Sequence, residues 1–375
     1  MRIALDVSIL ETPHRTGVER VQHNLIETLA RIDRSHEYLL VSKRPLELGF
    51  ELPENWRQVA LIESGSPYLW RERLLAPLLD REKIDVFHSP ISAMPILGKA
   101  KKIVTLHELP WVERGARHEA FEPAPKSHRV WLFLNARYAT RIVAGSQRPR
   151  DQVVKLYPSV EPRVRVIHHG IDPRFRTLSP APERHRTLER LRIPDRPFLL
   201  FVGTLRRKKN LRGLLRAFAE LPPSLRDAHS LVLVGVRSAT FTDIEGELAD
   251  PRLVDRVFTP GWLNDEDLVA LYNLAACVVY PSLFEGFGLP PLEAMACGAP
   301  VVASSGGAIP EIVGDAAHTF DPEDPKALGA ALHHVLSSPE RARELVERGH
   351  EHVKRFDWRI TAQRYLDLYR EVVEG

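Results

Sequence analysis

The sequence predicts an α/β protein with two Rossmann-like domains, and three observations carry that prediction. Short β-branched apolar runs alternate along the chain with amphipathic stretches, the pattern of parallel strands joined by crossover helices. At 375 residues there is room for two or three domains, and the Pro- and Arg-rich stretch 173–197 has the composition of an exposed connector. Residues 278–304 read as a strand, a loop, a short helix and a second strand. In that unit 277–280 is apolar and β-branched, and Pro281 ends the strand. Gly286 and Gly288 let the loop turn sharply or come close to a ligand. Pro290 and Pro291 suit the first helical positions, where a missing amide costs nothing; Gly298 suits the position just past the helix, and Pro300 stops any continuation. Glu285 in the loop and Glu293 on the helix, eight residues apart, then belong at the carboxyl edge of a parallel sheet, where ligands bind.

Composition narrows the class further. Hydrophobic residues make up 44% and charged residues 27%, which is ordinary for a soluble globular protein, and a net charge of +3 is too small to argue for nucleic acid. No apolar run reaches the length of a membrane span, and the start, MRIALDVSIL, has a buried-strand pattern rather than that of a signal peptide. Cys277 and Cys297 sit among apolar or small residues and read as reduced packing residues of a cytoplasmic protein. His350 and His352 come closest to a metal pair, but two residues apart on a helix they point different ways, so no metal site is expected.

In the amino-terminal half a first strand is expected over 2–10. Thr16 and Glu19 have the spacing of a capping box for a helix over 18–32, with Val18, Val21, Leu25, Leu29 and Ile32 on its apolar face. Gly17 beside the cap leaves amides facing the sheet edge, a place for an anion or a hydroxyl, although a plain helix start reads the same way. Strands are expected over 38–42, 58–62 and 86–88, and a helix over 71–80. The β-branched run 102–106 ends at His107, which places that imidazole over the crevice; a lone His is more often a satisfied loop residue. The stretch 111–138 mixes Trp111, Phe121, Trp131 and Phe133 with Arg and Lys. A helix with an apolar core face and a solvated basic face accounts for it best; contact with lipid-linked acceptors at an anionic membrane is the competing reading. Strands over 141–144 and 164–168 follow, the second running into His169-Gly170-Ile171-Asp172.

In the carboxyl-terminal half, strands over 198–203 and 231–235 bracket Thr204, Arg206, Arg207, Lys208, Lys209 and a helix over 211–221. Four cations at a helix start oppose the macrodipole, and a bound pyrophosphate would turn that strain into attraction; a solvated basic loop is the alternative. A strand and turn are expected over 257–263. Asp265-Glu266-Asp267 looks like a metal-binding DxD but is explained by capping of a helix over 266–275. Gly306-Gly307-Ala308 reads as a flexible loop before a helix at Pro310-Glu311. Helices over 325–336 and 339–356 and one opened by Asp357-Trp358 close the chain.

The run EGFGLPPLE from Glu285 to Glu293, followed by AMACGAPVVAS, resembles the Glu-x7-Glu signature of the retaining GT-B glycosyltransferases of family four. The turn Thr16-Gly17-Val18-Glu19-Arg20, the pair His107-Glu108, Ser146, the run 169–172, Lys209-Asn210 and Gly306-Gly307-Ala308 resemble further motifs of that family. Departures are Glu108 for the usual Asp, Lys208 for the usual Arg, and Thr204 where some members carry a phosphate-binding Arg. The resemblance implies a GT-B fold, with two Rossmann-like domains facing across a cleft. The acceptor-binding domain would span 1–175, joined by a helix over 358–375 that crosses back, and the nucleotide-sugar-binding domain 196–357. It implies that Glu285 and His107 orient the transferred sugar, that Glu293 binds the ribose, and that Lys209 neutralises the diphosphate. Gly203, Thr204, Arg206, Arg207, Gly286, Phe287, Gly288 and Leu289 would complete the donor site, and Gly17 would let donor and acceptor approach. The implied reaction is retaining transfer of a mannose-type or related hexose from a nucleotide-diphosphate sugar to a saccharide or lipid-linked acceptor, in surface polysaccharide assembly. No cofactor or metal is expected, and the setting is cytoplasmic, at most peripheral on the membrane's inner face. Two other classes share the fold: a sugar phosphorylase or epimerase, needing free phosphate or no acceptor, and a sugar-nucleotide sensor that never turns over.

Overall fold

The computed structural model describes residues 1–12, 17–62, 67–109, 112, 126–178, 183–237 and 244–375. Thr16, Trp111 and Phe121 lie outside them, and with these the cap at Thr16 and much of the stretch 111–138. The described residues divide into two compact units: one made by those of Met1–Val112, those up to Gly170 and Phe356–Gly375, the other by Ile171–Arg355.

The first unit is built on strands β1 (Arg2–Asp6), β2 (Glu37–Ser42), β3 (Trp56–Ala60), β4 (Val86–Ser89), β5 (Lys101–Leu106), β6 (Arg141–Ala144) and β7 (Val164–Val166). They form one parallel sheet in the order β3-β2-β1-β4-β5-β6-β7. Ile3, Ala4 and Leu5 are fully buried, as a strand covered on both faces requires. The helices Gly17–Ile32 and Trp358–Glu374 pack against each other on this sheet. β1 is shorter than expected because Asp6 Oδ1 accepts from the Ser8 amide at 3.0 Å and the Ser8 hydroxyl at 2.6 Å, which turns the chain into a 3-10 helix, Ser8–Glu11. The helix expected over 71–80 is likewise interrupted: Pro77 has no amide to give, and the turn Arg71–Leu75 widens so that the Ala76 amide reaches the Arg71 carbonyl.

The second unit carries β8 (Phe198–Val202), β9 (Ser230–Val234), β10 (Val257–Gly261), β11 (Cys277–Tyr280), β12 (Val301–Ser304) and β13 (His318–Phe320). Its parallel sheet has the order β10-β9-β8-β11-β12-β13, so the winding reverses between β8 and β11. The stretch expected as a bare connector contains a helix, Glu183–Arg190, whose Leu188 is buried and whose Arg190 pairs with Asp267. Phe175, Leu188 and Ile193 are buried and Leu178 and Leu191 half-buried, an anchoring that the polar composition concealed.

Candidate active site

The reversal between β8 and β11 brings together the two loops that carry the predicted donor residues. After β8, Gly203 takes φ +153° while its amide donates to the Val234 carbonyl at 3.0 Å. The chain then turns through the 3-10 helix Arg207–Lys209 and through Asn210, at φ +53°, into the helix Leu211–Ala219. This turn points Lys209 inward and leaves Arg206 and Arg207 exposed. Lys209 Nζ donates to Glu285 Oε1 at 2.5 Å and to the Tyr280 hydroxyl at 2.9 Å. Lys208 Nζ lies 3.8 Å from Glu285 Oε2, and the Leu283 amide donates to the Lys208 carbonyl at 2.8 Å, tying the loops together. Lys208 stands where the motif has Arg, and the resemblance assigns Arg206 and Arg207 rather than Lys208 to the donor site. The structure instead brings Lys208 to the carboxylate, and its place directly before Lys209, where the motif has Arg, was the available signal.

Burial alone would raise the pKa of Glu285, which is 6% exposed; the ammonium groups of Lys208 and Lys209 outweigh it and hold the carboxyl below its usual range. The backbone of Glu285 is fixed from a third side. The Ala308 amide donates to its carbonyl at 2.9 Å, and a Cβ on Gly307 would lie 2.3 Å from that oxygen. Gly306 and Gly307 thus serve close approach to the Glu285 loop rather than looseness.

The helix after this loop is Leu289–Ala296, with Pro290 and Pro291 in its first turn and Gly288 ahead of it at φ +107°. At its end Gly298 takes φ +79°, its amide donating to Met295 O at 3.1 Å while the Ala299 amide donates to Ala294 O at 3.0 Å, a Schellman closure. Glu293 on this helix is buried and accepts from the Tyr272 hydroxyl at 3.0 Å, so it is no solvated N-terminal charge. Gly286 and Phe287 are buried; Thr204 and Leu289 are half-buried. The acidic run at 265–267 opens the helix Asp265–Leu274, capped by Asn264, whose side chain accepts from the Asp267 amide at 2.8 Å. Asp265 pairs with Arg174 at 2.6 Å and Asp267 with Arg190, so two of these acids are engaged within the unit.

In the first unit His107 follows β5, and its Nε2 lies 2.7 Å from the Pro90 carbonyl beyond β4. A carbonyl only accepts, so Nε2 carries the proton and Nδ1 is left as an acceptor in the neutral ring. Burial lowers the pKa of His107, opposed by the Pro90 bond and by Glu108 and Glu19. The ring centroid of His169 is 5.9 Å away, and a Cβ on Gly145 would stand 2.7 Å from His169 Nε2. Gly17 opens its helix with nothing among the described residues within 4 Å of where a Cβ would be, so these residues do not require glycine there. Gly170 does answer to packing, because a Cβ there would lie 2.5 Å from the Trp358 amide nitrogen.

Comparison with known proteins bears on the family and the fold. The family profile described as Glycosyltransferase Family 4 matches residues 15–175, and the one described as Glycosyl transferases group 1 matches 184–352. Sucrose-phosphate synthase from Thermosynechococcus elongatus superposes with a TM-score of 0.78 at 23% identity over 99% of this chain and 98% of that one. Anabaena Alr3699/HepE, in complex with UDP and glucose, does so with 0.77 at 18% over 99% and 100%. The fold is therefore GT-B, with two Rossmann-like parallel-sheet domains. Among curated relatives, O-antigen chain mannosyltransferase B of Escherichia coli is 33% identical over 62% of this chain and 61% of its own length. D-inositol 3-phosphate glycosyltransferase of Saccharomonospora viridis is 34% identical over 72% and 64%. The matched regions thus span about three-fifths of these two relatives, and 29% of the Escherichia coli mannosyltransferase WbdA. The chain belongs to the GT-B glycosyltransferases of family four. Among the described residues no helix is long and apolar enough to cross a membrane.

Proposed function

We propose that this protein is a retaining glycosyltransferase that moves a mannose-type or related hexose from a nucleotide-diphosphate sugar to a saccharide or lipid-linked acceptor in cell-surface polysaccharide synthesis. The observation that carries the reading is the ionised, buried Glu285 paired with Lys209 at the switch point of the second sheet. An ammonium has three donors and a carboxylate only acceptors, so one position can meet diphosphate oxygens beside another that meets sugar hydroxyls. The mannose-type donor and the polysaccharide acceptor are drawn from the O-antigen relative.

In this reading the bond from the anomeric carbon to the diphosphate oxygen breaks while the acceptor oxygen attacks from the same face, and the acceptor proton passes to the leaving phosphate. Lys209, Lys208 and the amides that open the helix Leu211–Ala219 meet the charge that develops on the diphosphate, so no metal is assigned. Arg206 and Arg207 extend that positive field. Glu285 and the Nδ1 acceptor of His107 orient the sugar, Glu293 takes the ribose, and Gly17 leaves room for donor and acceptor. Val130 and Phe133, each 55% exposed on the helix Lys126–Tyr138 beside Arg129 and Arg137, support peripheral contact with an anionic membrane. Failure to co-sediment with anionic vesicles at low salt would remove that part.

A thermal-shift panel of GDP-, UDP-, dTDP- and ADP-sugars tests the core of the proposal. A ligand at a hundredfold excess over its dissociation constant stabilises the native state by about 2.7 kcal/mol. One nucleotide is expected to raise the midpoint of the wild type and not of Glu293→Ala; no shift with any of them would overturn the donor site. Turnover that requires inorganic phosphate, or that converts the sugar nucleotide without acceptor, would assign phosphorylase or epimerase chemistry instead.

A further inference from the structure

Tyr280 closes β11 beside the Lys209–Glu285 pair, yet no motif and no role above includes it. It is 1% exposed, its hydroxyl accepts from Lys209 Nζ at 2.9 Å, and the same Nζ lies 4.9 Å from its ring centroid. Burial, and then the charge of Glu285, hold the phenol well above its ordinary pKa, so it stays protonated beside an ammonium. A neutral hydroxyl accepts and donates at once. It accepts from Lys209, whose ammonium also donates to the Glu285 carboxylate at 2.5 Å. Tyr280 and Glu285 are therefore two acceptors of one ammonium.

The consequence lies in the donor count of Lys209. An ammonium has three N–H groups. Among the described residues one goes to Glu285 and one to Tyr280, which fixes the direction of the third. Without the tyrosine oxygen, Nζ could swing wholly onto the carboxylate, and its third proton would no longer point one way.

We propose that Tyr280 is a positioning residue that aims Lys209 at the β-phosphate of the donor, and so sets the preference of the site for a nucleoside diphosphate over a monophosphate. This rests on the donor-site reading given above. Tyr280→Phe keeps the ring and removes only the oxygen that Lys209 donates to.

The experiment measures binding of GDP, UDP, ADP and dTDP and of the matching monophosphates by titration calorimetry. It uses the full chain as wild type, Tyr280→Phe, Lys209→Gln and the double variant, with thermal midpoints recorded for each. The wild type is expected to bind one diphosphate at least tenfold more tightly than its monophosphate. Tyr280→Phe is expected to weaken that diphosphate about tenfold, as loss of a hydrogen bond to a charged group does, and to leave the monophosphate unchanged. In the Lys209→Gln background the tyrosine substitution should have no further effect, because it acts through that ammonium. Parallel loss of both ligands, an unchanged diphosphate affinity, or additive effects in the double variant would each overturn the proposal. Absence of any nucleotide binding by the wild type would instead bring down the donor-site reading, and the proposal with it.

Discussion

At the scale of single residues, the buried pair of Lys209 and Glu285 carries electrostatic risk for the second unit. Two charges taken out of water are worth little as a pair, but breaking the pair strands the survivor. Glu285→Ala is accordingly expected to destabilise the second unit by about 3–5 kcal/mol in urea denaturation. Lys209→Met with Glu285→Leu should recover most of that stability. Equal losses in the single and double variants would show that the ion pair is not what the substitution disrupts. Glu285→Gln keeps the shape and is expected to bind nucleotide while losing about a hundredfold in turnover, the scale of one misplaced electrostatic contact; unchanged turnover would sink the role given to Glu285. Lys209, Glu285 and Glu293 could be read from the sequence because each sits at a fixed spacing from glycines and prolines that mark a loop or a helix end. Tyr280 could not be, because its value depends on the pairing of β8 with β11, which brings it to Lys209, 71 positions away.

At the scale of elements, the glycines divide by what stands next to them. Gly307, at φ +66°, has the Glu285 carbonyl oxygen 2.3 Å and the Glu285 nitrogen 2.6 Å from where a Cβ would go. Neither is a flexible side-chain tip that can move aside, so Gly307→Ala is expected to cost more than about 3 kcal/mol and to displace the Glu285 loop. A thermal midpoint within a degree or two of the wild type would contradict this. Among the described residues nothing stands in that direction from Gly17, so Gly17→Ala should fold with unchanged stability. Loss of turnover in that variant would then report on a ligand rather than on the fold, and full activity would remove Gly17 from the site. The helix Leu289–Ala296 was readable end to end, since Pro290, Pro291 and Gly298 act through local backbone geometry alone. The widened turn at Arg71–Leu75 was not, because an apolar helical period continues straight through it. The helix Glu183–Arg190 was hidden for the opposite reason: its charged surface outweighs the few side chains that hold it down.

At the scale of the whole molecule, alternation of strands and helices foretold two parallel sheets, but not what lies between the first sheet and the last helix. His88, fully buried on β4, contacts the Tyr369 hydroxyl through Nδ1 at 2.8 Å and Thr105 Oγ1 through Nε2 at 2.9 Å, while Tyr365 stacks on its ring at 5.1 Å. These groups are up to 281 residues apart, and nothing local in the sequence announces their meeting. Burial, and then the neighbouring His107, hold the His88 pKa at about 3 against an ordinary 6.5, and His107 and His169 are lowered in the same direction. Below pH 6.5 the unfolded chain therefore takes up protons that the folded unit refuses. Stability is fully present above that pH and falls as pH drops, by about 1.4 kcal/mol per pH unit for each such group fully in that window. Trp56, Trp70 and Trp358 report on this unit by fluorescence. Their urea midpoint is expected to fall between pH 7 and 5, and to fall less steeply in His88→Gln, which has no imidazole to protonate. If the two proteins lose stability in parallel over that range, the buried histidine is not the group that ties the carboxyl-terminal helix to pH, and the dependence belongs to His107, His169 or the carboxylates.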